Sequence, residues 1–206
     1  MKSGSFAGLL ALLLVAGSVF ADEDVGLGPW RLGMSKEQVA AIADGVPYKD
    51  IADGLETQGG KFQSRKVAVA LTFGGSGLAT VKLKLYEGND WNRATNAVLD
   101  AYDYFKANYG GANVKEVADN PPRKELDEVL RQTLGTAEDF NKIQAKRGSY
   151  NIMTFDMKPL KQPAESRLHC QWIYDGKANS FTVYLYQDLP NAPSRDAEDS
   201  SEVRKL

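Results

Sequence analysis

The residues best able to do chemistry in this 206-residue chain are one histidine, one cysteine and scattered carboxylates. His169 and Cys170 are adjacent, which suggests a nucleophile beside its base. They lie in an alternating stretch typical of a strand, where neighbouring side chains point to opposite faces. We therefore expect Cys170 to lie in the core and His169 to point outward, so that the two do not act together.

A single histidine and a single cysteine also exclude several kinds of site. They provide no zinc-ligand spacing, no redox cysteine pair and no histidine free to activate a serine. The glycine-rich stretches are typical of turns and helix ends, without a P-loop or a dinucleotide fingerprint. The sequence therefore predicts no catalytic residue, no metal site and no cofactor.

Carboxylates leave one enzymatic alternative, the hydrolysis of cell-wall glycan. Such hydrolysis needs two acidic groups about 5 to 9.5 Å apart. The acids predicted near loops or strand ends are Glu56, Glu87, Asp90 and Asp156. Because the sequence does not show whether they converge, a carboxylate-dependent hydrolase stays as the alternative function.

The better candidate is the outward face of two C-terminal strands, where polar and aromatic side chains alternate with apolar ones. The predicted outward residues are Arg167, His169, Gln171, Thr182, Tyr184 and Tyr186. Tyrosine and arginine are enriched at the hot spots of protein interfaces. We expect these six side chains to form an exposed protein-binding face. Two alternatives remain open: helices cover this face, or its residues are there because strands favour them.

The elements before these strands begin with a capping box at Ser35 and Gln38, which predicts a helix over 36–44. Residues 46–65 are rich in glycine and polar side chains, which indicates a long loop with room for one short strand. Long ordered loops in compact domains often bind partners. We therefore expect the part of this loop over 54–65 to contribute to binding.

Alternation then predicts a hairpin with strands over 67–73 and 81–85, joined by residues 74–77. Its outward Lys82 and Lys84 are typical of a solvated or edge-protecting arrangement. A helix with an apolar stripe follows, capped by Asn89 or Asp90 and ending at 110–111.

The second half begins after Pro121 and Pro122 with a helical stretch that reaches Gly135. Thr136 can cap a further short helix. Three strands follow, centred on residues 153–157, 168–172 and 181–185. This order predicts an α+β fold, an antiparallel sheet with helices packed on one face. We expect one domain over 22–187, with subdomains 22–111 and 112–187 as an open division, and a disordered tail over 188–206.

The N-terminus has the pattern of a secretory signal, with Lys2, an apolar run over 9–15 and a small residue at Ala21 before an acidic cluster. We expect a signal peptide over 1–21 that is cut after Ala21. The apolar run is too short to span a membrane, and no cysteine at the junction can be lipidated. The mature chain should therefore be periplasmic and free of a stable membrane anchor. Its lone Cys170 can form no internal disulfide.

The formal net charge of −2 gives no basic footprint for nucleic acid. Another periplasmic or envelope protein is therefore the expected partner. Binding of a small apolar ligand between sheet and helices is a third hypothesis.

Residues 28–39, with Gly33-Met34-Ser35 leading into the first helix, resemble the opening motif of small envelope domains of the BamE (SmpA/OmlA) type. That resemblance implies helices against a small antiparallel sheet and a role in binding other envelope proteins. The present chain lacks the lipidation cysteine of those domains and is much longer. The leading hypothesis is a non-catalytic periplasmic binding protein, either an inhibitor or immunity protein or an envelope assembly accessory.

Overall fold

The computed structural model describes residues 27–42, 47–115, 117–146 and 152–190. The predicted signal peptide lies outside these residues, as does the predicted tail beyond residue 190. The elements in chain order are α1 (Lys36–Ala40), β1 (Lys49–Ile51), β2 (Gly54–Phe62), β3 (Arg65–Gly74), β4 (Gly77–Gly88), α2 (Trp91–Tyr109), β5 (Ala112–Val114), β6 (Ala118–Asp119), α3 (Arg123–Lys146), β7 (Ile152–Pro159), β8 (Arg167–Asp175) and β9 (Ser180–Asp188).

Local sequence signals set the start of α1 and both ends of α2. The Ser35 side chain accepts a hydrogen bond from the backbone of Gln38, whose own side chain accepts from the Ser35 backbone, so the capping box is confirmed. Asp90 caps α2, and Gly110 ends it in the left-handed region at φ 77°. Helix α1 stops at Ala40, earlier than expected, and the predicted end near residue 44 lies outside the described residues.

The hairpin of β3 and β4 is confirmed, but the predicted long loop before it is wrong. Strands β1 and β2 occupy most of that stretch. A β-bulge between Thr57 and Gly60 shifts the side-chain alternation of β2 by one position. Leu55 and Phe62 both pack in the core, but they are an odd number of positions apart and break the two-residue alternation of a strand. The sequence pattern therefore does not indicate this strand.

The second half contains one long helix where two were predicted. Helix α3 runs through Gly135, where the sequence predicts a helix end, and through Thr136, where it predicts a new cap. Both flanks are rich in strong helix formers, and one interior glycine costs only about 1 kcal/mol. The glycine therefore does not end the helix.

All nine described strands form one antiparallel sheet in the order β1-β2-β3-β4-β9-β8-β7-β5-β6. The last of the described strands, β9, lies between β4 and β8 and joins the two halves into one sheet. With the three helices of the described ranges, the fold is mixed α+β. Strands β5 and β6 were not predicted, because they span only three and two residues.

The core forms where helix α2 contacts β4, β9, β8, β7 and β5, while α3 packs against α2. Buried side chains of α2 such as Val98, Tyr102 and Phe105 join one cluster with Leu83 of β4 and Leu185 of β9. Within the described residues, no helix is long and apolar enough to cross a membrane.

Candidate functional site

His169 and Cys170 lie on opposite faces of β8, as strand geometry predicts. Cys170 is 1% exposed, between Leu168 and Trp172 in the core. Burial, followed by the nearby charge of Asp156, raises the pKa of the Cys170 thiol far above its ordinary value. The thiol is therefore inert, and His169 on the other face cannot activate it.

The six predicted binding residues share the face that carries His169. Their strands β8 and β9 are adjacent, and His169 lies opposite Tyr186 while Gln171 lies opposite Tyr184. Two lysines of β4 extend the same face, because Lys82 pairs with Tyr186 and Lys84 with Tyr184. We call this surface the tyrosine face; its members are Lys82, Lys84, Arg167, His169, Gln171, Thr182, Tyr184, Tyr186 and Asp188.

The two lysines were not predicted as site residues. Their edge-protecting interpretation is wrong, because β4 lies inside the sheet between β3 and β9. The Lys82 ammonium lies 3.9 Å from the ring centroid of Tyr184 and 5.1 Å from that of Tyr186. At these distances the cation is attracted to both ring faces. The alternation of side chains along β4 predicted that Lys82 points outward. Its contact with the tyrosines depends on the pairing of β4 with β9, which the sequence does not indicate.

The centre of the tyrosine face is more buried than expected. The rings of His169 and Tyr186 stack with centroids 4.5 Å apart, and the Tyr186 hydroxyl donates to Oε1 of Gln171 at 3.3 Å. Tyr186 is 8% exposed and Gln171 is 6% exposed, so the expectation of an exposed face is wrong for these two residues. His169 Nδ1 lies 3.5 Å from a carboxylate oxygen of Asp188. The neighbouring side chains of the face therefore fix one another.

The exposed part of the face is formed by other members. Arg167 is exposed, while Thr182, Tyr184 and Lys84 are half-buried. Burial raises the pKa of the Tyr184 hydroxyl, although the Lys84 charge acts in the opposite direction. A hydrogen bond from Lys84 to Glu87 at 2.6 Å raises the pKa of the ammonium. The face thus presents a neutral phenol beside a cation that stays charged.

Asp156 does not converge with Glu56 or Glu87. Glu56 lies on β2 and Asp156 on β7, which are five strands apart in the sheet. At about 4.8 Å per strand, they are separated by roughly 24 Å across the sheet. Glu87 on β4 is three strands, or about 14 Å, from Asp156. These separations exceed those at which two carboxylates cleave a glycosidic bond.

Most of these acids already have partners of their own. Glu56 pairs with Lys49 at 3.2 Å, and Glu87 pairs with Lys84. Asp90 caps α2 and lies 3.6 Å from Arg93. No group of three histidine, cysteine or acidic residues that could hold a metal ion occurs in the described part of the chain.

Comparisons with known proteins do not assign a family. No family model matches the chain. No curated protein matches it, and no solved structure does either. The resemblance of residues 28–39 to BamE-type domains therefore stays a prediction.

Proposed function

We propose that this chain is exported to the periplasm and binds another envelope protein through the tyrosine face, without catalysing a reaction. An inhibitor or immunity protein against an envelope enzyme or toxin is one form of this function. An envelope assembly accessory is the other, and it draws on the resemblance of residues 28–39 to BamE-type domains.

The pre-arranged contacts of the tyrosine face are the observation that carries this proposal. Lys82 lies against Tyr184 and Tyr186, and His169 stacks on Tyr186. Side chains that are already fixed lose little conformational entropy on binding, which favours affinity. Tyrosine and arginine are enriched at interface hot spots.

We further infer that the helices pack on the core face alone, which leaves the tyrosine face to a partner. Buried side chains of α2 belong to the same cluster as Leu168, Cys170 and Trp172, and these alternate along β8 with the tyrosine-face residues. Export is supported separately by the signal pattern over 1–21, and the buried lone cysteine fits an oxidising compartment.

The test is partner capture from envelope extracts on immobilised protein comprising residues 22–206. We expect Tyr184→Ala and Lys82→Ala each to lower capture about tenfold, the effect of losing a contact worth about 1.4 kcal/mol. Tyr186 is not a suitable target, because it is buried and its truncation would disturb the sheet. Lys124→Ala is the control, since that side chain is 90% exposed on α3.

Far-UV circular dichroism establishes that each variant is folded. Unchanged capture by folded Tyr184→Ala and folded Lys82→Ala proteins would show that the tyrosine face is not the binding site. Turnover of purified peptidoglycan by the wild-type protein would instead favour the carboxylate-dependent alternative.

A further inference from the structure

Two lysines face each other at the rim of the tyrosine face. Lys61 on β2 and Lys66 on β3 occupy directly opposite positions in the antiparallel register, and both are exposed. Among the described residues, neither forms an ion pair, whereas neighbouring Arg65 pairs with Asp100 at 2.7 Å. Like charges directly opposite each other destabilise a sheet. The fold therefore keeps an arrangement that costs it stability.

The lysine pair is continuous with the tyrosine face. Lys66 shares the face of Ala68, which lies two residues further along β3. Ala68 lies opposite Lys84, and Lys84 lies opposite Tyr184. Only the small Ala68 side chain separates Lys66 from the cationic and aromatic members of the face. A partner seated on Tyr184 therefore reaches the lysine pair across Lys84 and Ala68.

The lysine pair also lies at an open side of the sheet. Strand β1 faces only the first three residues of β2, Gly54 to Glu56. Beyond them, none of the described strands pairs with β2 on the side away from β3. Phe62, next to Lys61, is 4% exposed and packs against Tyr104 with ring centroids 5.3 Å apart. The lysine pair is thus accessible to a partner, while the packing of Phe62 against Tyr104 fixes the end of β2.

We propose that Lys61 and Lys66 form the end of the interface that receives carboxylates from an acidic partner protein. The inference rests on the proposed function and adds the chemistry of the partner. The chain has a net charge of −2, so an acidic partner gains most when its carboxylates meet these two unneutralised cations. Such local complementarity directs the orientation of docking.

A protein fits this surface better than nucleic acid does. Nucleic acid requires a continuous basic track along its phosphates. Here the neighbouring cations Lys49 and Lys84 are paired with Glu56 and Glu87, so carboxylates interrupt the track.

The decisive variant is Lys61→Glu, because it places a carboxylate opposite Lys66. An opposite-charge pair then replaces the repulsion, and we expect the urea midpoint of unfolding to rise by about 0.3 M. With poly-L-glutamate as the probe, we expect affinity measured by calorimetry to fall about fivefold, the effect of losing an exposed ion pair. Lys124→Glu makes the same change of net charge on α3 and should alter affinity less than twofold.

Several results would overturn this proposal. Equal poly-L-glutamate affinity for the wild-type and Lys61→Glu proteins would mean that the lysine pair does not receive carboxylates. Tighter binding of a short DNA duplex than of poly-L-glutamate would assign the pair to nucleic acid. Partner capture that depends on Tyr184, with poly-L-glutamate binding that ignores Lys61, would refute the lysine proposal alone. Capture that ignores Tyr184 would refute the tyrosine face itself.

Discussion

At the residue scale, Thr95 of α2 places an unpaired hydroxyl in the core. Thr95 is 1% exposed, and within the described part of the chain no group hydrogen-bonds its Oγ1. Thr95→Val keeps the shape and removes the unpaired group, so we expect the free energy of unfolding to rise by about 1 kcal/mol. Urea unfolding should show a higher midpoint with an unchanged slope. Thr95→Ser, which keeps the hydroxyl and removes a methyl, should be destabilised instead, and a Thr95→Val protein no more stable than wild type would contradict the assignment.

Because of Tyr184 and Lys84, we expect the stability of the folded protein to decrease at alkaline pH. The pKa of each group is raised in the folded protein, by burial for Tyr184 and by the hydrogen bond to Glu87 for Lys84. A raised pKa means that the stabilising contribution is complete below the unfolded value, about 10 for both groups, and is lost as pH rises through the folded pKa. We expect the free energy of unfolding to fall as pH rises above about 10.

Tyr184→Phe removes one of these two groups and keeps the ring. Its free energy of unfolding should therefore fall less steeply over the same pH range, as measured by urea unfolding at each pH. Parallel curves for wild type and variant would show that Tyr184 does not contribute.

Alternation was sufficient to predict the direction of individual side chains on β8 and β9. It correctly placed Cys170 in the core and His169 on the opposite face. It could not predict that Tyr186 would be buried, because its ring contacts Lys82 and His169 on neighbouring strands. Contacts between strands that are neighbours in the sheet but far apart in sequence leave no local signal in a single sequence.

At the scale of elements, the start of β2 depends on a glycine that allows close contact with β3. A Cβ atom at Gly54 would lie 1.8 Å from the carbonyl oxygen of Leu71, which belongs to the backbone and cannot rotate away. We expect Gly54→Ala to lower the free energy of unfolding by about 2 kcal/mol. Gly75→Ala is the matched control, since its Cβ would meet nothing within 4 Å, and it should change stability by less than about 0.5 kcal/mol. Equal midpoints for the two variants in urea would contradict this contact.

Elements with a local signal were predicted, and those without one were missed. The ends of α2 were predictable because Asp90 and Gly110 form the caps through their own side chain and backbone, without help from distant residues. Strand β2 was mistaken for a loop, because its bulge breaks the period and its glycines are typical of turns. Gly135 does not end the helix as predicted, because the cost of one glycine is small beside the strong helix formers on both sides of it.

At the scale of the whole molecule, the position of β9 makes the two halves depend on each other. Val183 in β9 is fully buried between β4 and β8. We expect Val183→Ala to lower stability and to shift tryptophan fluorescence and far-UV circular dichroism to the same lower urea midpoint. Two separate transitions, with only one shifted, would show that the halves unfold independently.

The mixed α+β class followed from the order of helical and alternating segments. The single sheet did not, because the sequence left open whether residues 22–111 and 112–187 form separate units. That question is decided by the pairing of Thr80 with Asp188 and its neighbours, which no spacing within either half indicates.

The central place of β9 also bears on when the chain can fold. Strand β9 is the last described strand to leave the ribosome, yet the sheet cannot join β4 to β8 without it. Pairings between residues so far apart in sequence form slowly. During synthesis the chain therefore lacks its central strand until residues 180–188 have been translated. For a protein proposed to be exported, this delay leaves the sheet incomplete over the interval in which a translocation channel must receive the chain.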